Sequence, residues 1–263
     1  MSAPLDIIAA LVRARSGYDV STSRVLARDL AVVALGARTS FMNDYAPRVT
    51  PALLATLSSE SARVLAVDAR QVRAMTMHGT TFVVNIRVLA KEASNRQKIF
   101  VDVSGRAPAA VTGTAAADAW GRVRAALLEV LRSREGVIDV SDIIDVQANV
   151  IGPPTVSGLL LDFPCVYAFP TASMSSAAVA ISSCGLTVHS IECRRENGGD
   201  NESELAYGWS IPTSMVMDDD ARVKFEATVA AWRDGVTGCL RSLGFRTSHQ
   251  VAYTAAGSNR IVF

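Results

Sequence analysis

Cysteine, histidine and aspartate are the side chains of this sequence best suited to chemistry, and their spacing limits what they could do. The chain has four cysteines and three histidines, with no Cys-x-x-Cys pair. His189 and Cys193 are four residues apart in a predicted strand, where they would share a face about 13 Å apart, too far for one metal ion. We therefore predict no metal site and interpret His189 as a structural residue.

A serine or thiol nucleophile would need a base and an orienting group close to it. Ser182-Ser183-Cys184-Gly185 most resembles an exposed nucleophile turn, but no Gly-x-Ser-x-Gly elbow is present. No glycine-rich loop ends in the Gly-Lys-Ser or Gly-Lys-Thr of a phosphate site. The consecutive acids at 218–220 are expected to cap a helix. The sequence predicts no catalytic residue and no cofactor.

Two segments contain polar residues whose presence is less easily explained by a purely structural role in a core or a turn. Residues 38–47, RTSFMNDYAP, place an Asn-Asp-Tyr triplet after a helix stop, and residues 158–170, GLLLDFPCVYAFP, place one carboxylate among leucines and aromatics. Asn-Asp is also an ordinary turn pair, so a purely structural role stays open. We nominate these segments as a tentative interaction or ligand site, with the members Asn43, Asp44, Tyr45, Asp162, Pro164 and Tyr167.

Helices are predicted where apolar residues recur at three- and four-residue steps. Ser21 to Ser23 carry hydroxyls suited to cap one of them, and Thr50-Pro51 opens another with proline in its first turn. Glycines at 36, 136 and 244 are expected to end helices. The two long helices are predicted at about 115–134 and 218–243, and shorter ones at 4–15, after Ser23 through Ala34, and from Pro51 through Leu57.

The rest of the chain is predicted to form short strands. They are expected at 63–67, 72–77, 81–88, 98–103, 143–150, 158–169 with a break at Pro164, 178–182, 186–194, 205–212 and 245–263. Consecutive strands with few helices favour an α+β fold with mixed or mainly antiparallel sheets packed by a few helices. We expect a single domain over 1–263, with two intimately packed halves, about 1–150 and 151–263, as the alternative.

Composition excludes several classes of protein. With 49% apolar and 19% charged residues the chain can bury a core, and its net charge of +1 gives no general attraction for nucleic acid. An arginine row on the helix at 115–134 leaves a weak nucleic-acid alternative open. No apolar run is long enough to span a membrane. We expect a cytoplasmic protein with reduced thiols; mitochondrial import stays open, although Asp6, Asp19 and Asp29 oppose it.

Both segments resemble a eukaryotic family named after chromosome 1 open reading frame 74, which is classed as a domain of unknown function. The similarity lies in an aromatic-Asp-Tyr stretch within RTSFMNDYAP and in a glycine-leucine stretch followed by proline, valine and tyrosine within GLLLDFPCVYAFP. The resemblance implies a relationship over the whole chain and an intracellular protein. It implies no activity, cofactor or partner.

The leading hypothesis is a non-catalytic protein-protein interaction or scaffold module with an unknown protein partner and an unknown oligomeric state. Aromatic side chains often anchor such interfaces. The candidate anchors are Tyr45, Tyr167, Phe169 and Trp209. The alternative is an enzyme or small-molecule binder. Its site would be assembled from Asp44, Tyr45, Asp162, Cys184 and His189.

Overall fold

The structure is a computed structural model of the 263-residue chain, described for residues 4–95, 98–103, 108–111, 115–196, 203–215 and 217–255. Its fold is α+β, as predicted, with three separate sheets among these residues. Residue contacts divide the chain into two compact units that alternate along the sequence. Unit 1 comprises Met1–Asn95, Gly121–Val146 and Leu160–Asp162, and unit 2 comprises Arg96–Trp120, Gln147–Leu159 and Phe163–Phe263.

Helices and strands alternate irregularly along the chain. The α-helices are α1 (Pro4–Ser16), α2 (Val20–Ala34), α3 (Pro51–Val64), α4 (Ile86–Asn95), α5 (Ala115–Ser133), α6 (Ser141–Asp145), α7 (Pro153–Leu160), α8 (Met174–Ser182) and α9 (Asp219–Ser242). The strands are β1 (Ser40–Met42), β2 (Val72–Met77), β3 (Thr80–Asn85), β4 (Ile99–Asp102), β5 (Ala109–Val111), β6 (Ile138–Asp139), β7 (Cys165–Ala168), β8 (Leu186–Arg195), β9 (Glu204–Pro212) and β10 (Phe245–Thr254).

Unit 1 packs helices against a four-stranded sheet of order β1-β3-β2-β6. Strands β2 and β3 form a hairpin whose turn, His78-Gly79, has positive φ at both positions, as a tight two-residue turn requires. Strand β6 joins β2 in parallel. Helices α2 and α3 contact this sheet and each other, which buries an apolar core with Leu26, Leu54 and Phe82 among its members.

Helix boundaries in unit 1 follow from side-chain capping. The side chain of Asp19 accepts from Thr22 N, so α2 begins at Val20, and the predicted start after Ser21 to Ser23 is wrong. The Thr50 side chain caps α3 by accepting from Leu53 N, and Pro51 lies in the first turn as predicted. The helix continues to Val64, so the strand predicted at 63–67 is also wrong. Chain reversal follows only at Ala66, where φ is +56°.

Unit 2 contains an antiparallel sheet of order β10-β8-β9 and a small sheet of order β5-β4-β7. Helix α9 packs on β8 and β10. Asp218 caps it by accepting from Ala221 N, and the long helices α5 and α9 are both confirmed. The buried face of α9 carries Val229, Trp232 and Val236 at helical spacing. This face packs against the sheet, where Trp232 lies edge-on to Trp209 of β9.

Three segments predicted as strands are helical instead. Residues 143–150 contain the end of α6 and a turn, 178–182 lie in α8, and Gly158–Leu160 end α7. Helix α7 begins with Pro153 and Pro154, since proline fits a first turn whose N–H groups need no partner. Gly158 lets α7 approach β7, because a Cβ there would lie 3.0 Å from Val166 Cγ1. Only the second half of GLLLDFPCVYAFP is therefore a strand.

The strand predicted at 81–88 ends early for a local reason. The side chain of Asn85 accepts from Arg87 N at 3.0 Å and from Val88 N at 3.1 Å. These amides would otherwise be unpaired in the first turn of α4. The chain therefore leaves β3 at Asn85 and becomes helical. Predictions that fall on Asn197-Gly198-Gly199, on Ser104-Gly105 and beyond Ala255 lie outside the described residues.

Candidate functional site

The two nominated segments meet within unit 1. Arg38 Nη2 donates to the Leu161 carbonyl at 2.9 Å, and Ser40 Oγ donates to the Leu160 carbonyl at 2.7 Å. Both bonds are buried, and they join residues more than a hundred positions apart in sequence. They place the end of α7 beside β1. We call this contact between residues 38–40 and 160–162 the segment junction.

Tyr45 connects the first segment to a buried ion pair in α2. Its hydroxyl donates to Asp29 Oδ2 at 2.6 Å, and Asp29 Oδ1 accepts from Arg28 Nε at 3.1 Å. Both ionised residues are buried, with 2% of Arg28 and 6% of Asp29 exposed. Such a pair must be hydrogen-bonded to offset its desolvation. Arg28 and Asp29 are not among the residues nominated from the sequence, although two adjacent charges inside the apolar run of α2 were a signal.

The other members of the nominated site that lie in unit 1 are Asp162, Asn43 and Asp44. Asp162 is buried and has φ +60°, a left-handed conformation that aspartate tolerates better than most residues. It directly follows Leu161 of the segment junction. Asn43 Nδ2 donates to the Ala46 carbonyl at 3.2 Å and so stabilises the turn after β1, while Asp44 is exposed.

Pro164 and Tyr167 belong to unit 2. The Pro164 carbonyl accepts from Ile99 N at 3.1 Å, at the start of the β4 and β7 pair. The Tyr167 hydroxyl donates to the Ser210 carbonyl at 3.1 Å, and burial raises the pKa of this phenol well above its usual value. Both residues therefore have structural contacts. We keep the six-residue site as a hypothesis and describe its members within their own units.

His189 lies in a row of stacked rings on the face of the sheet that α9 covers. Its ring is 4.4 Å from that of Trp209 at an interplanar angle of 3°, and 5.6 Å from that of His249. Burial, followed by the charge of His249, lowers the pKa of His189 to about 4. The ring is therefore neutral at pH 7. His189 Nδ1 and His249 Nε2 are buried without a hydrogen-bond partner among the described residues.

Two of the four predicted aromatic anchors are buried. Trp209 packs edge-on against Trp232, at 6.0 Å between ring centroids, and is buried, as is Phe169. Neither side chain can therefore anchor a partner at the surface, and that part of the prediction is wrong. Tyr45 remains partly exposed, although its hydroxyl is bound to Asp29.

Strand β10 is an edge strand of its sheet within the part of the chain that the structure describes. It pairs with β8 on one side, and no described residue pairs with its other side. Glu196 N donates to the Gly244 carbonyl, which makes 196 and 244 a hydrogen-bonded pair. Because such pairs alternate along an antiparallel ladder, the odd-numbered residues of β10 direct their N–H and C=O groups away from β8. N–H and C=O groups that pair with no other described residue therefore line this edge from Phe245 to Tyr253.

The far part of this edge has no charged residue. Residues 247–254, TSHQVAYT, contain no Asp, Glu, Lys, Arg or Pro, and β10 pairs with β8 in continuous register. Helix α9 covers one face of the sheet near the start of β10 only. Val251 and Tyr253 point to the same face further along the strand, where they are 45% and 74% exposed. Natural edge strands are usually protected by charges, proline or bulges. The β10 edge has none of these between 247 and 254.

Comparison with known proteins places the chain in a family. A family model described as Domain of unknown function (DUF4504) matches residues 9–236. The chain belongs to this family. No curated protein and no solved structure matches the chain. The relationship to the family named after chromosome 1 open reading frame 74 stays a prediction.

The DUF4504 match covers both nominated segments and the buried pair in α2. Strand β10 lies beyond the last matched residue. The family match therefore implies nothing about a role for the β10 edge.

The described residues contain no group of three or more His, Cys, Asp or Glu side chains arranged to hold a metal ion. Among the described helices, none has the length and apolar character needed to cross a bilayer.

Proposed function

We propose that this chain is a non-catalytic protein-interaction module that binds an extended segment of a partner protein along the β10 edge. The observation that supports the proposal is the uncharged stretch 247–254, with its outward-facing backbone groups. An extended segment that pairs there would continue the β10-β8-β9 sheet. This is the binding mode in which main-chain hydrogen bonds supply affinity and alternate side chains supply specificity.

The exposed side chains of β10 define the chemistry of the partner segment. Val251 and Tyr253 would each face a residue of the added strand, and such cross-strand pairs favour aromatic and β-branched side chains. Residues 247–254 contain no Asp, Glu, Lys or Arg, so nothing in this stretch would attract an acidic or a basic partner sequence. The expected partner segment is therefore uncharged, extended and rich in valine, isoleucine, threonine or tyrosine.

We place this activity in the cytoplasm. All four cysteines are free thiols, and Cys165 and Cys193 are buried, as suits a reducing compartment. The net charge of +1 gives no general attraction for nucleic acid, which we do not expect to bind. Neither observation identifies the partner.

We do not propose the enzyme alternative. The Tyr45 hydroxyl is bound to Asp29, and Cys184 Sγ donates to the Ala180 carbonyl at 3.1 Å. The neutral ring of His189 is stacked between two other rings. These contacts give the Tyr45, Cys184 and His189 side chains structural roles.

The proposal is tested by closing the edge. Val251→Lys adds the charge that protected edges carry, and Val251→Pro removes an outward N–H. Leu205→Lys is the matched control, because Leu205 is an exposed apolar residue on β9, at the opposite edge of the same sheet. The tagged full chain and its variants are used to capture partners from cytosolic extract. A captured partner is then measured as a synthetic peptide by fluorescence anisotropy.

We expect the wild type and Leu205→Lys to retain one stoichiometric partner and both Val251 variants to bind its peptide at least about tenfold more weakly. Recovery of no stoichiometric partner under gentle conditions would contradict the proposal. Equal binding by the Val251 variants would contradict it as well. A dimer of this chain that Val251→Lys dissociates would show that a second copy occupies the edge, and would overturn the proposed partner.

A further inference from the structure

A cavity of about 320 Å³ lies in unit 1 between α3 and β2. Residues of α3 at helical spacing form one wall of the cavity and residues of β2 form another, and Gly136 also lines it. Its volume is at the lower end of the range for small-molecule sites, so it suits a metabolite-sized ligand. The lining residues are Ala55, Thr56, Ser59, Glu60, Arg63, Val72, Arg73, Ala74 and Gly136.

Both arginines of the cavity retain donors that the protein does not use. The guanidinium of Arg63 has no hydrogen bond or ion pair within the described part of the chain. Arg73 Nη1 donates to the Ala69 and Val72 carbonyls, each at 3.3 Å, and Arg73 Nε is buried without a partner there. An unpaired buried donor is costly, which favours a ligand that accepts from it.

Glu60, the acidic residue of the cavity lining, is paired through one of its two carboxylate oxygens. Glu60 Oε1 accepts from Arg15, whereas Oε2 is buried without a hydrogen-bond partner among the described residues. Asp68 lies near Arg73 but is exposed, and its own hydrogen bonds are with Arg70. The lining therefore carries two arginines and one carboxylate that is already paired with Arg15, and Glu60 Oε2 is its one carboxylate oxygen without a described partner.

We infer that this cavity binds a small organic anion that also carries a hydrogen-bond donor. Its phosphate or carboxylate group would accept from Arg63 and Arg73, because the planar guanidinium suits both groups. Its hydroxyl or amine would donate to Glu60 Oε2. The small side chains of Ala55, Ser59 and Ala74 leave room for the body of the ligand.

The inference is tested by calorimetric titration of the full chain at low ionic strength. The probes are glycerol 3-phosphate and malate, which combine an anionic group with a hydroxyl, and sulfate, which lacks a donor at pH 7. We expect saturable binding of at least one hydroxyl-bearing probe and weaker binding of sulfate. Binding of glycerol 3-phosphate alone would assign a phosphate ligand, and binding of malate alone a carboxylate.

Variants identify the site. Arg63→Gln and Arg73→Gln should each weaken binding about tenfold or more, since each removes a charge-assisted hydrogen bond. Ser59→Leu should abolish binding by filling the cavity, and leucine is compatible with α3. Arg132→Gln is the matched control, because Arg132 is exposed on α5 and lies outside the cavity; it removes the same charge and should change affinity less than about twofold.

Two results would overturn the inference. One is the absence of saturable binding of either hydroxyl-bearing probe at about 10 mM, where even a weak site would be occupied. The other is equal weakening by Arg132→Gln and Arg73→Gln, which would indicate general attraction by surface charge. Thermal unfolding of each variant shows whether it is folded. The outcome is independent of the β10 edge, so either proposal can fail alone.

Discussion

Tyr45→Phe tests whether the tyrosine of the first segment stabilises the fold. The substitution removes only the hydroxyl that donates to Asp29 Oδ2 at 2.6 Å and leaves the ring in place. A hydrogen bond to a charged group contributes about 1.5–3 kcal/mol. Burial of Asp29 raises the cost of losing it, whereas water can partly replace it because Tyr45 is 36% exposed. We therefore expect the free energy of unfolding to fall by about 1.5 kcal/mol, the lower end of that range.

Urea denaturation, followed by far-ultraviolet circular dichroism, measures this change. A loss of that size corresponds to a decrease in Tm of about 3–6 °C for a chain of this length. Tyr253→Phe is the matched control, because Tyr253 is 74% exposed and has no side-chain hydrogen bond among the described residues. It should change the free energy of unfolding by less than about 0.5 kcal/mol.

A double-mutant cycle with Asp29→Asn separates the hydrogen bond from other effects of the substitution. Asparagine leaves a neutral acceptor, so Tyr45→Phe should cost about 1 kcal/mol or less in that background. The reasoning is refuted if Tyr45→Phe is as stable as the wild type within about 0.5 kcal/mol. Such a result would mean that the Tyr45 hydroxyl does not stabilise the fold, and Tyr45 would remain a candidate for binding.

Two further predictions concern unit 2. Burial lowers the pKa of His189 to about 4 from 6.5, so the unfolded chain takes up a proton first and stability falls by about 2–3 kcal/mol as the pH decreases between these values. His189→Phe keeps a ring in the stack and should remove this part of the pH dependence; an unchanged difference between urea melts at pH 7 and at about pH 4.5 would contradict the assignment. Iodoacetamide should modify Cys184 before Cys165 and Cys193, which are buried, as peptide mass mapping would show; simultaneous loss of all three thiols would disagree.

The elements predicted best are those with their own start and stop signals. Helix α9 has a capping aspartate, an apolar stripe and a closing glycine, and its predicted ends differ from the observed ones by one residue. The segment GLLLDFPCVYAFP has no such internal signal. A short apolar run has the same pattern in a buried helix as in a buried strand, so periodicity could not show that α7 ends inside it.

Long-range contacts explain what the sequence could not show about the candidate sites. The segment junction depends on hydrogen bonds from Arg38 and Ser40 to backbone carbonyls, and any residue type can supply a carbonyl. Likewise, the terminal strand was predicted, but whether a strand lies at an edge depends on its neighbours. The buried charges of α2 were visible as an anomaly, although their bond to Tyr45 was not.

The segment junction also determines the order in which this chain can fold during synthesis. Arg38 and Leu161 are separated by 123 positions, and Ser40 and Leu160 by 120. At about 5–20 residues per second, the ribosome needs about 6–24 s to deliver the acceptors after the donors. Unit 1 therefore remains without its last contacts while the first strands of unit 2 are already being made. A premature stop codon before residue 160 would leave Arg38 and Ser40 without these acceptors, and we expect quality-control proteases to recognise such a truncated chain.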